Sequence, residues 1–170
     1  VGILAQRLFP GGMDATPAKR SDNIGAVKKT QELIASGVEV IYEAAFQFNK
    51  VLAILDILVK KDGQWYGYEV KSSTKISQTY LMDASLQYWV IVNTGLDLQD
   101  ISLITINNQY VRNGEVDLNG LFAIRSVKKE ALANLGFIQE QVDASIQVAQ
   151  NAQMPSVEIG EQCFSPYTCD

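Results

Sequence analysis

The chain has 170 residues, of which 47% are hydrophobic and 19% are charged, so it is long enough to form a core and too apolar for a disordered chain. It contains no histidine, which excludes Ser-His-Asp and Cys-His catalysis, histidine-ligated zinc and imidazole acid–base chemistry. The net charge of −5 argues against unspecific coating of nucleic acid, although carboxylates that bind a metal would account for part of that charge.

The predicted elements alternate between helices and strands. After a short helical pattern near the start, helices are predicted at 22–36, 80–93 and 128–150, the first two followed by Gly37 and Gly95, which suit the end of a helix. Runs of β-branched and aromatic residues predict strands at 38–48, 51–60, 64–72, 101–106 and 122–127. This order predicts an α/β fold with a mixed central sheet flanked by helices.

The lack of a membrane-spanning or signal segment in the sequence bears on the expected location and domain organisation. No apolar run approaches the roughly 20 residues of a membrane span, and no signal peptide is recognised. We therefore expect a cytoplasmic protein with no membrane partner. We expect a single domain over residues 1–170, with a core at about 22–127 and a C-terminal helix and cysteine-containing tail at 128–170, as a whole protein or as a fragment of a longer one.

The segment 51–72 is the most informative part of the chain. Asp62-Gly63 is typical of a two-residue type I′ hairpin turn, which requires positive φ at both positions. If it closes that turn, the numbers of opposed residues sum to 125, and Asp56 lies opposite Glu69. Lys71 points to the same face as Glu69, because side chains alternate along a strand. Strict alternation also places Leu52, Ile54 and Leu58 on the face of Asp56, which suggests that this face is partly buried.

A third carboxylate joins this row if Asn49-Lys50 closes a second two-residue turn. Opposed residues then sum to 99, so that Glu43 faces Asp56 across a three-stranded antiparallel meander. Such a row of hard oxygen ligands suits Mg²⁺ or Mn²⁺ and is typical of metal-assisted phosphodiester hydrolysis. A nearby lysine orients the attacking water or stabilises the transition state. The alternative is a solvated hairpin face with an ordinary cross-strand ion pair.

Polar residues that follow the hairpin extend this pattern. Tyr80, Asp83 and Gln87 lie at i, i+3 and i+7, on one face of the predicted helix 80–93. Turned towards the carboxylates they would position a nucleotide or a water molecule; turned outward they form a solvated stripe. Ser72 and Ser73 either contact phosphate through their hydroxyl groups or belong to a simple loop.

The sequence Asp56…Glu69-Val70-Lys71 resembles the PD-(D/E)-x-K signature of the restriction-endonuclease-like nucleases. Within that superfamily the chain looks most like the RecB-type and CRISPR-associated RecB-like exonucleases, and a related, uncharacterised bacterial family. The stretches that carry this impression are YEAAF, EVKSS, LMDASLQYWV, INNQYVRNGEVD and CFSPYTCD.

The resemblance implies a restriction-endonuclease-like core with the meander at its centre. It implies a nuclease dependent on Mg²⁺ or Mn²⁺, exonuclease-like and acting on DNA. By this resemblance, Asp56 and Glu69 are metal ligands and Glu43 is an additional ligand. Lys71 is the catalytic lysine, and Gln87 matches the glutamine of the RecB-type helix motif. The alternative function is a catalytically silent fold of this type that binds nucleic acid or a protein.

The two cysteines, Cys163 and Cys169, both lie at the end of the sequence. An iron–sulfur cluster needs four ligands, so two thiols form half of such a site, a small disulfide loop or no site. Many of the similar nucleases hold a cluster with one early and three late cysteines. The resemblance therefore implies an iron–sulfur cluster only in a longer protein.

Overall fold

The computed structural model describes residues 1–19, 21–165 and 168. Within this range the helices are α1 (Gly2–Gln6), α2 (Asn23–Ala35), α3 (Gln78–Asn93), α4 (Leu118–Leu121), α5 (Lys128–Gln150) and a 3₁₀ turn (Glu161–Cys163). The strands are β1 (Met13–Asp14), β2 (Val40–Phe48), β3 (Val51–Lys61), β4 (Gln64–Val70), β5 (Leu98–Ile106) and β6 (Phe122–Ser126). Among the described residues no helix is long and apolar enough to cross a membrane.

The strands form one sheet in the order β1-β2-β3-β4-β5-β6. Strands β2, β3 and β4 are an antiparallel meander, whereas β1 runs parallel to β2 and β4 runs parallel to β5. The antiparallel β6 closes the far edge. The predicted α/β fold, with a mixed sheet flanked by helices, is therefore confirmed; the short β1 and α4 had no recognisable sequence signal.

Local capping explains where the two inner helices begin and end. The Asp22 carboxylate accepts a hydrogen bond from the Gly25 backbone at 2.8 Å, and the Ser77 hydroxyl accepts one from the Tyr80 backbone at 3.3 Å. Because Ser77 is the cap, α3 begins at Gln78, two residues before the predicted start. Gly37 and Gly95 follow the two helices with φ of 83° and 89°, as the sequence predicts.

Both predicted hairpin turns form. Asn49 and Lys50 have φ of 46° and 66°, and Asp62 and Gly63 have φ of 52° and 81°, so each turn has the two positive φ angles of type I′. Paired residues of β2 and β3 sum to 99, from Phe48 opposite Val51 to Val40 opposite Val59. Paired residues of β3 and β4 sum to 125. The predicted registers are confirmed.

The sheet separates two apolar cores. The larger core packs α2, α3 and α5 on one side and includes Leu33, Leu55, Trp89 and Ile138. The smaller core packs α1 and α4 against the other side and includes Ile57 and Ile104. This division positions α3 over the side of the sheet that bears Leu55 and Leu103.

The alternation of side chains is interrupted at Glu43 and at Asp56. In β3, Leu55 and Leu58 both belong to the larger core, whereas Ile57 belongs to the smaller one. Leu58 therefore lies on the same side of the sheet as Leu55 and not on that of Leu52 and Ile54, so the prediction from strict alternation is wrong. In β2, Glu43 has a φ of 55°, and its predicted pairing with Asp56 is missing between two regular pairs. Both strands are irregular at the same place. The pairing register is therefore the same on either side of it, whereas the side of the sheet to which the side chains point changes.

Candidate functional site

The candidate site lies where the pairing of β3 with β4 ends. The last backbone pair joins Ile57 to Tyr68, and the next position along holds Asp56 and Glu69. Here the Asp56 side chain replaces a strand partner, because its Oδ2 accepts a hydrogen bond from the Val70 backbone N–H at 2.6 Å. The irregular strand end thus turns one carboxylate into the structure instead of leaving it on a solvated hairpin face.

Lys71 follows directly on β4, and hydrogen bonds hold both its backbone and its side-chain ammonium. Its backbone N–H donates to the Ile104 carbonyl at 2.8 Å, which keeps the residue in line with β5. Its ammonium donates to Glu69 Oε1 at 2.8 Å and to Asp83 Oδ2. The Lys71 side chain is only 18% exposed, so this ammonium is held between two carboxylates in a largely desolvated position.

The polar face of α3 turns towards these residues. Asp83 contacts Lys71, and the centre of the Tyr80 ring lies 5.4 Å from the Lys71 ammonium. Gln87 is buried and its amide donates to the Glu69 carboxylate. The interpretation of Tyr80, Asp83 and Gln87 as a face turned towards the carboxylates is therefore confirmed, and the solvated stripe is excluded.

Burial and mutual repulsion disfavour the ionised forms of the two hairpin carboxylates. Burial raises the pKa of Glu69, and the charge of Asp56 raises it further against the opposing effects of Lys71 and Gln87. Burial also raises the pKa of Asp56, with contributions from the charges of Glu43 and Asp83. A cation placed among these side chains would lower both pKa values and would relieve this repulsion.

Two buried acceptor atoms have no hydrogen-bond partner in the described structure: Glu69 Oε2 and Gln87 Oε1. A divalent cation or a water molecule would satisfy them, since oxygen atoms of this kind are the ligands that Mg²⁺ and Mn²⁺ prefer. However, among residues 1–19, 21–165 and 168, no three cysteine, aspartate or glutamate side chains are grouped as a formed metal site. Asp56 and Glu69 therefore fit as metal ligands by their chemistry, and the Lys71 ammonium lies between Glu69 and Asp83.

Glu43 lies next to this group, on the neighbouring strand β2. Its charge raises the pKa of Asp56, which places the two carboxylates near each other. It also lines a separate cavity with residues of α1 and α2. The positive φ of Glu43 is unusual for a residue with a side chain and is a form of strain that often accompanies a functional position.

The remaining predicted residues lie at or beyond the edge of the site. Ser72 is exposed after β4, and Ser73 binds the backbone of Lys75 through its hydroxyl group. Cys163 is a free thiol in the 3₁₀ turn. Cys169 lies outside the described residues, so the predicted half of an iron–sulfur site stays a prediction.

Asp83 is the functional candidate that sequence reasoning left out of the predicted ligand and catalytic residues. The signal for it was its helical spacing from Tyr80 and Gln87, which identifies a shared face but not what that face contacts. Its ion pair with Lys71 depends on the packing of α3 against β4, which no local pattern specifies.

We expect the Asp83→Asn substitution to lower the pKa of Lys71. Burial by itself lowers this pKa, but the hydrogen bonds to Asp83 and Glu69 outweigh burial and raise it. The resulting stabilisation is present below the ordinary lysine pKa of about 10.4 and is lost as the pH rises through the raised value. Because the Asp83 side chain is 39% exposed, we expect the free energy of unfolding at pH 8 to fall by at most about 1 kcal/mol.

An NMR titration of the Lys71 side chain, with thermal unfolding at pH 8, measures both effects. The matched control is Asp97→Asn, since Asp97 is exposed and lies outside the cluster. An unchanged Lys71 titration in the Asp83→Asn protein would contradict the ion pair.

Comparison of the sequence with known protein-family models finds no match. Comparison with curated proteins also finds no match. The case for a function therefore rests on the arrangement of the residues themselves.

Proposed function

We propose that the protein is a divalent-metal-dependent nuclease with a restriction-endonuclease-like core, which hydrolyses phosphodiester bonds of DNA in an exonuclease-like manner. The observation that carries this proposal is the joint placement of Asp56, Glu69 and Lys71 where β3 and β4 stop pairing. Burial of two carboxylates with raised pKa values costs stability, which is typical of a functional site rather than of a structural one.

The metal would be held by Asp56 and Glu69, with Glu43 as an additional ligand. The unpartnered Glu69 Oε2 and the raised pKa values of the two hairpin acids support this assignment. When bound, Mg²⁺ or Mn²⁺ supplies an activated water molecule and offsets charge on the phosphoryl group. The Gln87 amide, by donating to Glu69, holds that carboxylate in one orientation.

Lys71 acts in this proposal as a charged donor. Its pKa is raised by its two carboxylate partners, so it keeps its proton at neutral pH and does not serve as a general base. It donates a hydrogen bond to the attacking water or to a phosphoryl oxygen, and Asp83 keeps it in place. We assign Tyr80, Ser72 and Ser73 to substrate binding, since the Tyr80 ring lies beside the Lys71 ammonium and the two serines follow Lys71 in the chain. Gln87, which the sequence also suggested for this role, is buried and acts through Glu69 instead.

A second candidate function is a catalytically silent binding module with the same fold. The observation that favours it is that Lys71 lies against Glu69 and Asp83, so that the described residues hold no formed group of three metal-binding side chains. Binding of Mn²⁺ separates the two functions, since a silent module does not require an ion at Asp56 and Glu69. The cytoplasmic location and the DNA partner stay predictions under either function.

The test is cleavage of end-labelled single-stranded and double-stranded DNA with Mn²⁺, with Mg²⁺ and with excess EDTA. We expect cleavage with either metal and loss of nearly all activity in EDTA, because the carboxylates alone supply no activated water. Calorimetric titration with Mn²⁺ accompanies the assay. Absence of both Mn²⁺ binding and cleavage would contradict the nuclease proposal, whereas cleavage that persists in EDTA would contradict its metal dependence.

A further inference from the structure

The Lys71 ammonium bridges two carboxylates that belong to different elements of the fold. It donates to Glu69 Oε1 on β4 at 2.8 Å and to Asp83 Oδ2 on α3. Glu69, a proposed metal ligand, thus already holds a positively charged group. A divalent ion that binds Glu69 meets this ammonium first, and two cations on one carboxylate repel each other.

The two carboxylates differ in their surroundings. The Glu69 side chain is 11% exposed, whereas the Asp83 side chain is 39% exposed and so in contact with water. Glu69 Oε2 is buried and has no hydrogen-bond partner among the described residues. Because a buried acceptor without a partner is costly, a divalent ion stabilises Glu69 more than it stabilises Asp83.

Lys71 can leave Glu69 without a change in the backbone. The Lys71 backbone N–H donates to the Ile104 carbonyl at 2.8 Å, which fixes the start of the side chain. The flexible four-carbon stem carries a compact ammonium with three donors that can reorient. Movement of the ammonium away from Glu69 therefore requires only rotation of the side chain.

The side of α3 that faces Lys71 offers a place for the displaced ammonium. Asp83 already binds it, and the centre of the Tyr80 ring lies 5.4 Å from Lys71 Nζ. Tyr80 and Asp83 are three residues apart in α3, so the ring and the carboxylate are neighbours on the helix surface. A carboxylate beside the face of an aromatic ring is a favourable environment for an ammonium group.

We infer that Lys71 is the resident cation of Glu69 in the metal-free protein, and that a divalent ion displaces it from Glu69 while Asp83 and Tyr80 retain it. This inference rests on the proposed nuclease function and adds how metal binding is coupled to the placement of the lysine. Asp83 is a positioning residue in this exchange, because it keeps the ammonium beside the site when Glu69 binds the ion.

The test is a double-mutant cycle in which calorimetry measures the Kd for Mn²⁺. We expect Lys71→Met to lower this Kd about tenfold, a usual factor for coupled sites, because methionine keeps an unbranched stem and removes the competing cation. We expect Asp83→Asn to raise the Kd about tenfold, because Lys71 then keeps Glu69 as its carboxylate partner. In the Lys71→Met background, Asp83→Asn should change the Kd less than about twofold, since no ammonium has to be retained.

Lys75→Met and Asp97→Asn are the matched controls for the two changes of charge. Both residues are exposed and lie outside the cluster, so each substitution should change the Kd less than about twofold. Equal Kd values for the parent and for Lys71→Met would overturn the exchange. A tenfold loss of affinity from Asp83→Asn that persists in the Lys71→Met background would make Asp83 a ligand of the ion and would also overturn it.

A second measurement uses the parent protein and so does not depend on whether a variant folds. Nuclear Overhauser effects between the Lys71 ε-protons and the Tyr80 ring should strengthen during titration with Mg²⁺, because the ammonium then has Asp83 and Tyr80 as its remaining partners. Effects that stay unchanged at saturating Mg²⁺ would contradict the displacement.

The outcomes separate this inference from the nuclease proposal. If the parent cleaves DNA with Mn²⁺ but Lys71→Met binds Mn²⁺ no more tightly than the parent, the exchange is overturned and the nuclease proposal stands. If Lys71→Met binds Mn²⁺ tenfold more tightly and the parent cleaves no DNA, the exchange is supported and the nuclease proposal fails.

Discussion

Replacing Lys71 with alanine is expected to lower the rate of DNA cleavage by about 10²–10³-fold, the usual effect of losing one charged donor to a transition state. The Lys71 ammonium is placed by Glu69, by Asp83 and by the backbone bond to Ile104. The loss should appear mainly in kcat, since an interaction with the developing charge is made only in the transition state. Steady-state kinetics on end-labelled DNA with Mn²⁺ measure it.

Lys75→Ala is the matched control for this substitution. Lys75 is exposed and lies four residues further along the chain, so its loss should leave kcat nearly unchanged. A Lys71→Ala protein that cleaves at the parent rate would remove Lys71 from the mechanism. Equal losses in both variants would indicate a general effect of positive charge on DNA binding instead.

Replacing Asp56 with asparagine is expected to reduce cleavage by at least about 10³-fold and to weaken Mn²⁺ binding, because the substitution removes the charge of one proposed ligand. The asparagine carbonyl can still accept the Val70 N–H, so the end of β4 should keep its structure. Calorimetry with Mn²⁺ and cleavage kinetics measure the two effects. The control is Asp97→Asn, at an exposed aspartate outside the site.

The same Asp56 substitution gives an expected pH dependence of stability. In the absence of metal, burial raises the pKa of Asp56, so the folded state binds more protons than the unfolded state above the ordinary value near 3.9. Stability is therefore lost as the pH rises from that value through the raised pKa. Asp56→Asn removes this loss, and its Tm in EDTA at pH 8 should equal or exceed that of the parent.

Thermal unfolding in EDTA at pH 4.5 and at pH 8 tests this. The difference in Tm between Asp56→Asn and the parent should be more favourable to the variant at pH 8 than at pH 4.5. A variant that is markedly less stable at pH 8 would identify Asp56 as a structural residue. Loss of cleavage in that protein would then carry no information about catalysis.

Local signals in the sequence were sufficient to predict the hairpin turns, the strand registers and the ends of two helices. Asp62-Gly63 and Asn49-Lys50 set both turns, because each turn depends only on the conformational preferences of two residues. These two turns fix the registers of the meander. The registers then place Glu43, Asp56 and Glu69 at neighbouring positions on adjacent strands. Gly37 and Gly95 mark the ends of α2 and α3 for the same local reason.

The tertiary structure decided which side of the sheet each side chain faces and which residues it contacts. Regular alternation is the only expectation that a sequence offers for a strand, and the irregular positions at Glu43 and Asp56 break it through contacts between two strands. The side chain of Asp56 therefore meets the Val70 backbone. The short β1 joins the sheet at its edge for an equally non-local reason, since its two residues pair with β2.

The chain by itself determined which acids and which lysine come to the end of the hairpin, since turn and strand geometry act over a few neighbouring residues. Only the packing of α3 on the sheet decided that Lys71 lies between Glu69 and Asp83 and that Gln87 is buried against Glu69. The physical reason is that burial and ion pairing depend on residues far apart in sequence, whose approach is set by the whole apolar core.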